Sequence, residues 1–139
     1  MPRTTLDITD IQQINLFAKV TGVPAKNCFC YANSLIFVVD PYAFSKAIGI
    51  KGENLKRIGY FLKKKVRIIR SPENENVERF IQAVIYPLKY KKFSNDNGNI
   101  VITASQQSKA SLIGRDKCKL NQLIAIARQY FLIKGIRIV

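Results

Sequence analysis

At 139 residues and 47% apolar side chains, the chain is long enough for one domain or two small ones and too apolar for disorder. It carries 23 Lys and Arg against 9 Asp and Glu, a net charge of +14, and has no histidine. No Cys-His or Ser-His catalytic pair can therefore form, and the scattered acidic residues make no metal-ligand cluster, which argues against an enzyme and against a bound cofactor.

In chain order, Thr9 to Gln12 reads as a capping box that opens a helix through Ile11, Ile14, Phe17 and Ala18, stopped by Gly22 and Pro24. Cys28–Tyr31 and Leu35–Val39 read as two strands around the Ala32-Asn33-Ser34 turn. Pro41 opens a short helix, Tyr42–Ile48. A glycine pair follows, and then a longer helix with Leu55, Ile58 and Leu62 on one face, closed by the strand Val66–Arg70. The second half begins with a possible helix start at Ser71-Pro72-Glu73. Val77, Phe80, Ile81 and Val84 then give an i, i+3, i+4, i+7 stripe that ends before Pro87. Leu88–Phe93 reads as a strand, Asp96-Asn97-Gly98-Asn99 as a hairpin turn and Ile100–Thr103 as the returning strand. Gln106–Ile113, the loop Gly114–Lys117, a helix lined by Leu120, Leu123, Ile124 and Ala127, and the strand Ile136–Val139 complete it.

The two halves are copies. Ile48 to Ile58 recurs 65 positions later, without a gap, as Ile113 to Leu123, and the same offset carries Ile36–Val39 onto Val101–Ala104. Each half has the order αββααβ, so residues 1–71 and 72–139 are expected to be two small domains. Each is marginal alone and expected to pack against the other. Residues 1–72 hold 12 basic and 4 acidic residues (+8), and residues 73–139 hold 11 and 5 (+6). Solubility needs only about 2 to 8 net charges for a small domain. An excess spread over both halves points to a polyanion, with nucleic acid first.

Cys28, Cys30 and Cys118 make an odd number, and Cys28-Phe29-Cys30 on a strand places both sulfurs on one face as small apolar packers rather than metal ligands. Nothing suggests a disulfide scaffold. No 18-residue apolar run or signal core is present, so a cytoplasmic protein without membrane contact is expected.

The glycine loop supplies the chemistry. Glycines allow positive φ and let a ligand approach without a Cβ in the way. The next helix presents unpaired N–H groups and its positive dipole end to phosphate. Lys51, Lys56 and Arg57 add cations around Gly49-Ile50-Lys51-Gly52. The spacing is too short for a Walker loop and does not fit a dinucleotide fingerprint. Asp40, Glu53 and Asp116 read as caps or solvated charges.

Ala47-Ile48-Gly49-Ile50-Lys51-Gly52-Glu53-Asn54-Leu55-Lys56-Arg57 resembles the signature of a KH domain, and αββααβ is the order of its type II form. Two in tandem, with Ile14–Gly22 ahead of Leu35–Val39, resemble the short archaeal NusA-like proteins. The resemblance implies an α+β fold of two tandem type II KH modules, each a three-stranded sheet with helices packed on one face. It implies that single-stranded RNA lies across each module, its backbone clamped by the loop while its bases are read in an adjoining groove. By position, Gly49, Ile50, Lys51 and Gly52 form the clamp, Lys56 and Arg57 extend it, and Ile48 and Leu55 give an apolar floor. Core packing is the competing role for Ile48, Leu55 and Ile58. In the second copy Gly114, Arg115 and Lys117 stand at the places of Gly49, Ile50 and Gly52, so that Lys117 stands where the closing glycine should be, and with Lys119 they keep the surface basic. RNA binding there is expected to be weaker, altered in geometry or only an extension of the first module's, with a chiefly structural role as the alternative.

The resemblance further implies a role with RNA polymerase in transcription termination, antitermination or pausing. Two other readings stay open: a protein-interaction adaptor with a basic surface, and a ribosome-associated RNA-binding protein or RNA chaperone. No small-molecule substrate is implied.

Overall fold

The computed structural model describes residues 8–72 and 77–139, with side chains from Ile11 onward. The chain divides into two compact units between Ser71 and Pro72. The first holds α1 (Ile8–Thr21), β1 (Asn27–Tyr31), β2 (Ser34–Val39), α2 (Phe44–Ile48), α3 (Glu53–Leu62) and β3 (Lys65–Arg70). The second holds α4 (Val77–Ile85), β4 (Lys92–Asp96), β5 (Asn99–Thr103), α5 (Gln106–Ile113), α6 (Cys118–Arg128) and β6 (Gly135–Ile138). This is a mixed α+β fold with one three-stranded sheet per unit and the order αββααβ in both. In each sheet the first two strands pair antiparallel and the third joins parallel to the second, in the orders β1-β2-β3 and β4-β5-β6.

Two-residue turns set the register. Ala32 and Asn33 (φ 51° and 63°) join Tyr31 to Ser34, and Asn97 and Gly98 (φ 51° and 92°) join Asp96 to Asn99. Positive φ at both central residues twists such a turn in the same sense as the strands it connects. The second turn also moves one element. The strand expected at Leu88–Phe93 runs from Lys92 to Asp96, because five residues counted back from the turn pair with Asn99–Thr103 and end at Lys92↔Thr103. Leu88 instead donates its N–H to Ile85 O at 3.0 Å, continuing the turn around Pro87.

The first core lies between one sheet face and three helices. Phe17 of α1 stacks on Phe37 of β2 at 4.4 Å, joined by Cys28, Leu35, Val39, Ala47, Ile58 and Ile68, with Ile48, Leu55 and Leu62 packed against them. Thr21 closes α1 by donating to Phe17 O at 2.8 Å and accepting from Val23 N at 3.0 Å. The opposite sheet face is buried too, through Phe29, Tyr31, Ile36, Val38 and Ile69. This is why Leu35–Val39 is continuously apolar rather than alternating. Burial pushes the Tyr31 phenol up to about 12, against the opposing charge of Arg67. In the second unit Phe80 of α4 meets Tyr130 and Phe131 at 5.0 and 5.7 Å, and Ile100, Ile102, Leu112, Leu123, Ile136 and Ile138 are buried.

Three further expectations change. Helix α1 already includes Ile8, so Thr9 lies inside it and is not its cap. Cys28 is buried but Cys30, on the same face near the end of β1, is exposed, and Cys118 at the start of α6 is exposed too. On α6 the buried residues are Leu123, Ile126 and Ala127, so Ile126 replaces the half-buried Leu120 and Ile124 at the centre of the stripe. The expected helix start at Glu73 lies outside the described residues.

Candidate nucleic-acid interface

Helix α2 ends at Ile48, and Gly49 turns the chain with φ 81° and ψ 175°, a region open essentially to glycine alone. A Cβ there would sit 3.0 Å from Asn54 Cγ and Nδ2 and 3.1 Å from the Asn54 backbone nitrogen. Asn54 fills that space and donates from Nδ2 to Lys46 O at 3.2 Å, tying the first turn of α3 to the last turn of α2. Lys51 (φ 54°, ψ 28°) and Gly52 (φ 73°, ψ 22°) are both left-handed, and Gly52 N–H donates back to Gly49 O at 3.2 Å. A Cβ on Gly52 would meet nothing within 4 Å. The two glycines therefore differ: the fold needs the first, while the second only leaves space outside the loop.

The second loop reproduces this backbone. Gly114 has φ 74° and ψ 177°, Asp116 φ 55° and ψ 31°, and Lys117 φ 60° and ψ 23°. Lys117 does not change the shape of the loop backbone. The lysine adopts the left-handed conformation that Gly52 adopts, and Lys119 replaces Asn54 by laying its Cβ and Cγ over Gly114. Such a conformation costs a non-glycine residue about 1 kcal/mol or slightly more. Lys117→Gly should accordingly raise the stability of the second unit by about 1 kcal/mol, read as a later urea or thermal midpoint.

Neither α3 nor α6 has a side-chain cap at its N-terminus, whereas Ser105 caps α5 by accepting from Ser108 N at 3.3 Å. The first amide of each of these helices already donates within the loop, Glu53 N–H to Ile50 O and Cys118 N–H to Arg115 O. No side chain caps the amides that follow, at the end of a helix that suits an anion. Of the residues singled out above, Ile50, Lys51, Lys56 and Arg57 are exposed on the first unit, and Arg115 and Lys117 on the second. Ile48 and Leu55 are half-buried and packed on the core, and Ile58 is fully inside it. Lys119 is half-buried beneath its own loop. Arg57 is engaged by Glu53 across one helical turn at 3.0 Å, both exposed, an ion pair of little net strength.

Two surface features lay beyond the sequence reading. Beside the first loop, Ile50, Lys51, Lys56 and Arg57 share an open hollow of about 620 Å³ with Tyr60 and Phe61. Tyr60 is 80% exposed and Phe61 57%, their rings edge to face at 5.9 Å. The signal was present, since Ile58 and Leu62 already fill the core face of α3 and leave the adjacent aromatics outside. On the second unit a groove of about 660 Å³ between α6 and the β5–β6 strands is lined by Asn121, Ala125, Arg128, Lys134 and Arg137. Arg128 donates to Lys134 O and holds the groove's end. Among the described residues no cluster of His, Cys, Asp and Glu could hold a metal ion, and no helix is long and apolar enough to cross a membrane.

No protein-family model matches the chain. It is 28% identical over 142 residues to the "Probable transcription termination protein NusA" of Methanococcus vannielii, covering 99% of this chain and 80% of that protein. It is 24% identical to the protein of the same description from Halococcus morrhuae, covering 98% and 99% respectively. The crystal structure of APE1850 superposes with a TM-score of 0.66 at 23% identity, over 96% of this chain and all of that one, a likeness of fold. Over almost its whole length the chain is thus similar to two archaeal proteins that carry the NusA name.

Proposed function

We propose that this chain binds single-stranded RNA through two tandem type II KH modules and acts with RNA polymerase in transcription termination, antitermination or pausing. The observation that carries the reading is the first loop: a left-handed Lys51-Gly52 pair, open on its outer side, leading into a helix without a side-chain cap and flanked by Lys51 and Lys56. That arrangement suits a phosphate backbone, and it stands in an αββααβ unit that occurs twice. The basic excess in both halves and the two NusA-named relatives point the same way. Gly49–Gly52 anchors the strand. Arg115 and Lys117 extend the contact on the second unit, where a lysine side chain stands outside the loop in place of open space.

The test is an RNA titration across salt. A loop that holds about four nucleotides should give log affinity against log salt a slope of about −3, since each neutralised phosphate contributes about −0.7 in single strands. The protein should also co-purify with RNA polymerase rather than with ribosomes. Affinity independent of salt would remove the clamp, and recovery on ribosomes alone would move the role to translation.

A further inference from the structure

Tyr60 has no part in the core and no counterpart in the second unit. The 65-residue repeat places Ala125 at its position and Ile126 at that of Phe61. Ala125 is half-buried and Ile126 is buried, so the aromatic pair is a property of the first unit alone. An 80%-exposed tyrosine beside a 57%-exposed phenylalanine exposes apolar area that folding does not use. The hollow in front of the rings is continuous with the loop, because Ile50 and Lys51 line it as well. Lys56 lies one helical turn before Tyr60. The equivalent pair in the second unit, Asn121 and Ala125, lines the groove there.

We infer that Tyr60 is a base-stacking platform: a nucleotide next to the one held at Gly49–Gly52 lays its base on the Tyr60 ring. This deepens the RNA-binding reading above and rests on it. An exposed ring offers stacking that tolerates any base, and cations beside it hold the phosphates while the base leaves water. The ring is also steadied, since Phe61 meets it edge to face at 70°. Cations favour a nucleic acid here: Lys51, Lys56 and Arg57 surround the hollow against Glu53 alone, and Glu53 is paired to Arg57. The inference gives the first unit a contact with unpaired bases in addition to backbone clamping, and so a reason to prefer single strands over duplex.

The experiment compares the full chain with Tyr60→Ala, Tyr60→Leu and Tyr60→Phe, titrated with oligouridylate of about twelve nucleotides and with an abasic ribose-phosphate oligomer of equal length. Tyr60→Ala and Tyr60→Leu should bind oligouridylate about tenfold more weakly, with an unchanged salt slope, and Tyr60→Phe should bind like the unaltered chain. The unaltered chain should prefer oligouridylate to the abasic oligomer, and Tyr60→Ala should lose most of that preference. With no tryptophan in the chain, tyrosine fluorescence quenched by RNA should lose part of its amplitude in Tyr60→Phe. Equal affinity of Tyr60→Ala and the unaltered chain for oligouridylate overturns the inference, as does full retention by Tyr60→Leu. If Tyr60→Ala keeps RNA affinity but loses polymerase, the patch docks protein and the inference is again overturned. Gly52→Asp separates the two layers: the clamp reading survives if that change weakens RNA while Tyr60→Ala does not.

Discussion

Gly52→Asp should leave the fold intact and weaken single-stranded RNA binding by about tenfold to a hundredfold. Gly52 lies at φ 73° with open space where a Cβ would stand, so the new Cβ meets no atom within 4 Å. Aspartate tolerates the left-handed region better than most residues, and the cost to stability should be about 1 kcal/mol. The effect on RNA has a separate origin. The added carboxylate would stand at the start of α3, beside the uncapped amides proposed to meet phosphate, and would compete with it there. A charged hydrogen bond contributes about 1.5 to 3 kcal/mol, which sets the range of the loss. Lys117→Asp should cost less, because the second loop already carries Asp116 and a side chain at the closing position. Filter binding or fluorescence anisotropy beside a melting curve checks both statements. Undiminished RNA affinity in folded Gly52→Asp would remove the clamp.

Gly49→Ala should do the opposite, damaging the fold first. A residue at φ 81° and ψ 175° outside glycine costs about 1 to 3 kcal/mol, and the overpacking adds a similar amount. Two of the three close contacts are with the Asn54 side chain, but the third is its backbone nitrogen at 3.1 Å, so truncating Asn54 should recover only part of the loss. In a unit this small, about 3 kcal/mol shifts the melting midpoint by roughly 10 to 20 °C. Gly52→Ala, which meets no atom within 4 Å, should shift it by only a few degrees. Urea denaturation of the two alanine variants side by side is the measurement. Equal losses would contradict the division of labour between the glycines.

Most of the element order was legible because periodicity and turn chemistry agreed. Pro41, Gly49 and the Asp96–Asn99 turn mark boundaries, and the stripe Val77, Phe80, Ile81, Val84 marks α4. The strand at Leu88–Phe93 was misplaced because its composition is ambiguous, and only the pairing register imposed by the turn decides it. Cys30 was misjudged because alternation gives a face but not how far cover extends along it. Of the candidate site, the loop residues could be read from spacing. The shape of the second loop could not, since a lysine in the left-handed region is disfavoured locally and is held there by packing around Gly114 and Lys119. Arg128, Lys134 and Arg137 come to line one groove with Asn99–Val101 only once the sheet sets β5 and β6 beside α6.

The shared backbone of Gly49–Gly52 and Gly114–Lys117 has a consequence for how duplicated modules diverge. The opening glycine and the residue over it are kept in form in both loops, so the closing position can differ without a change of loop shape. The side chain at that position can therefore change from none to a lysine while the loop backbone stays the same. A library randomised only at 52 and 117 would vary the side chain outside one loop shape, each non-glycine residue at a cost of about 1 kcal/mol or slightly more.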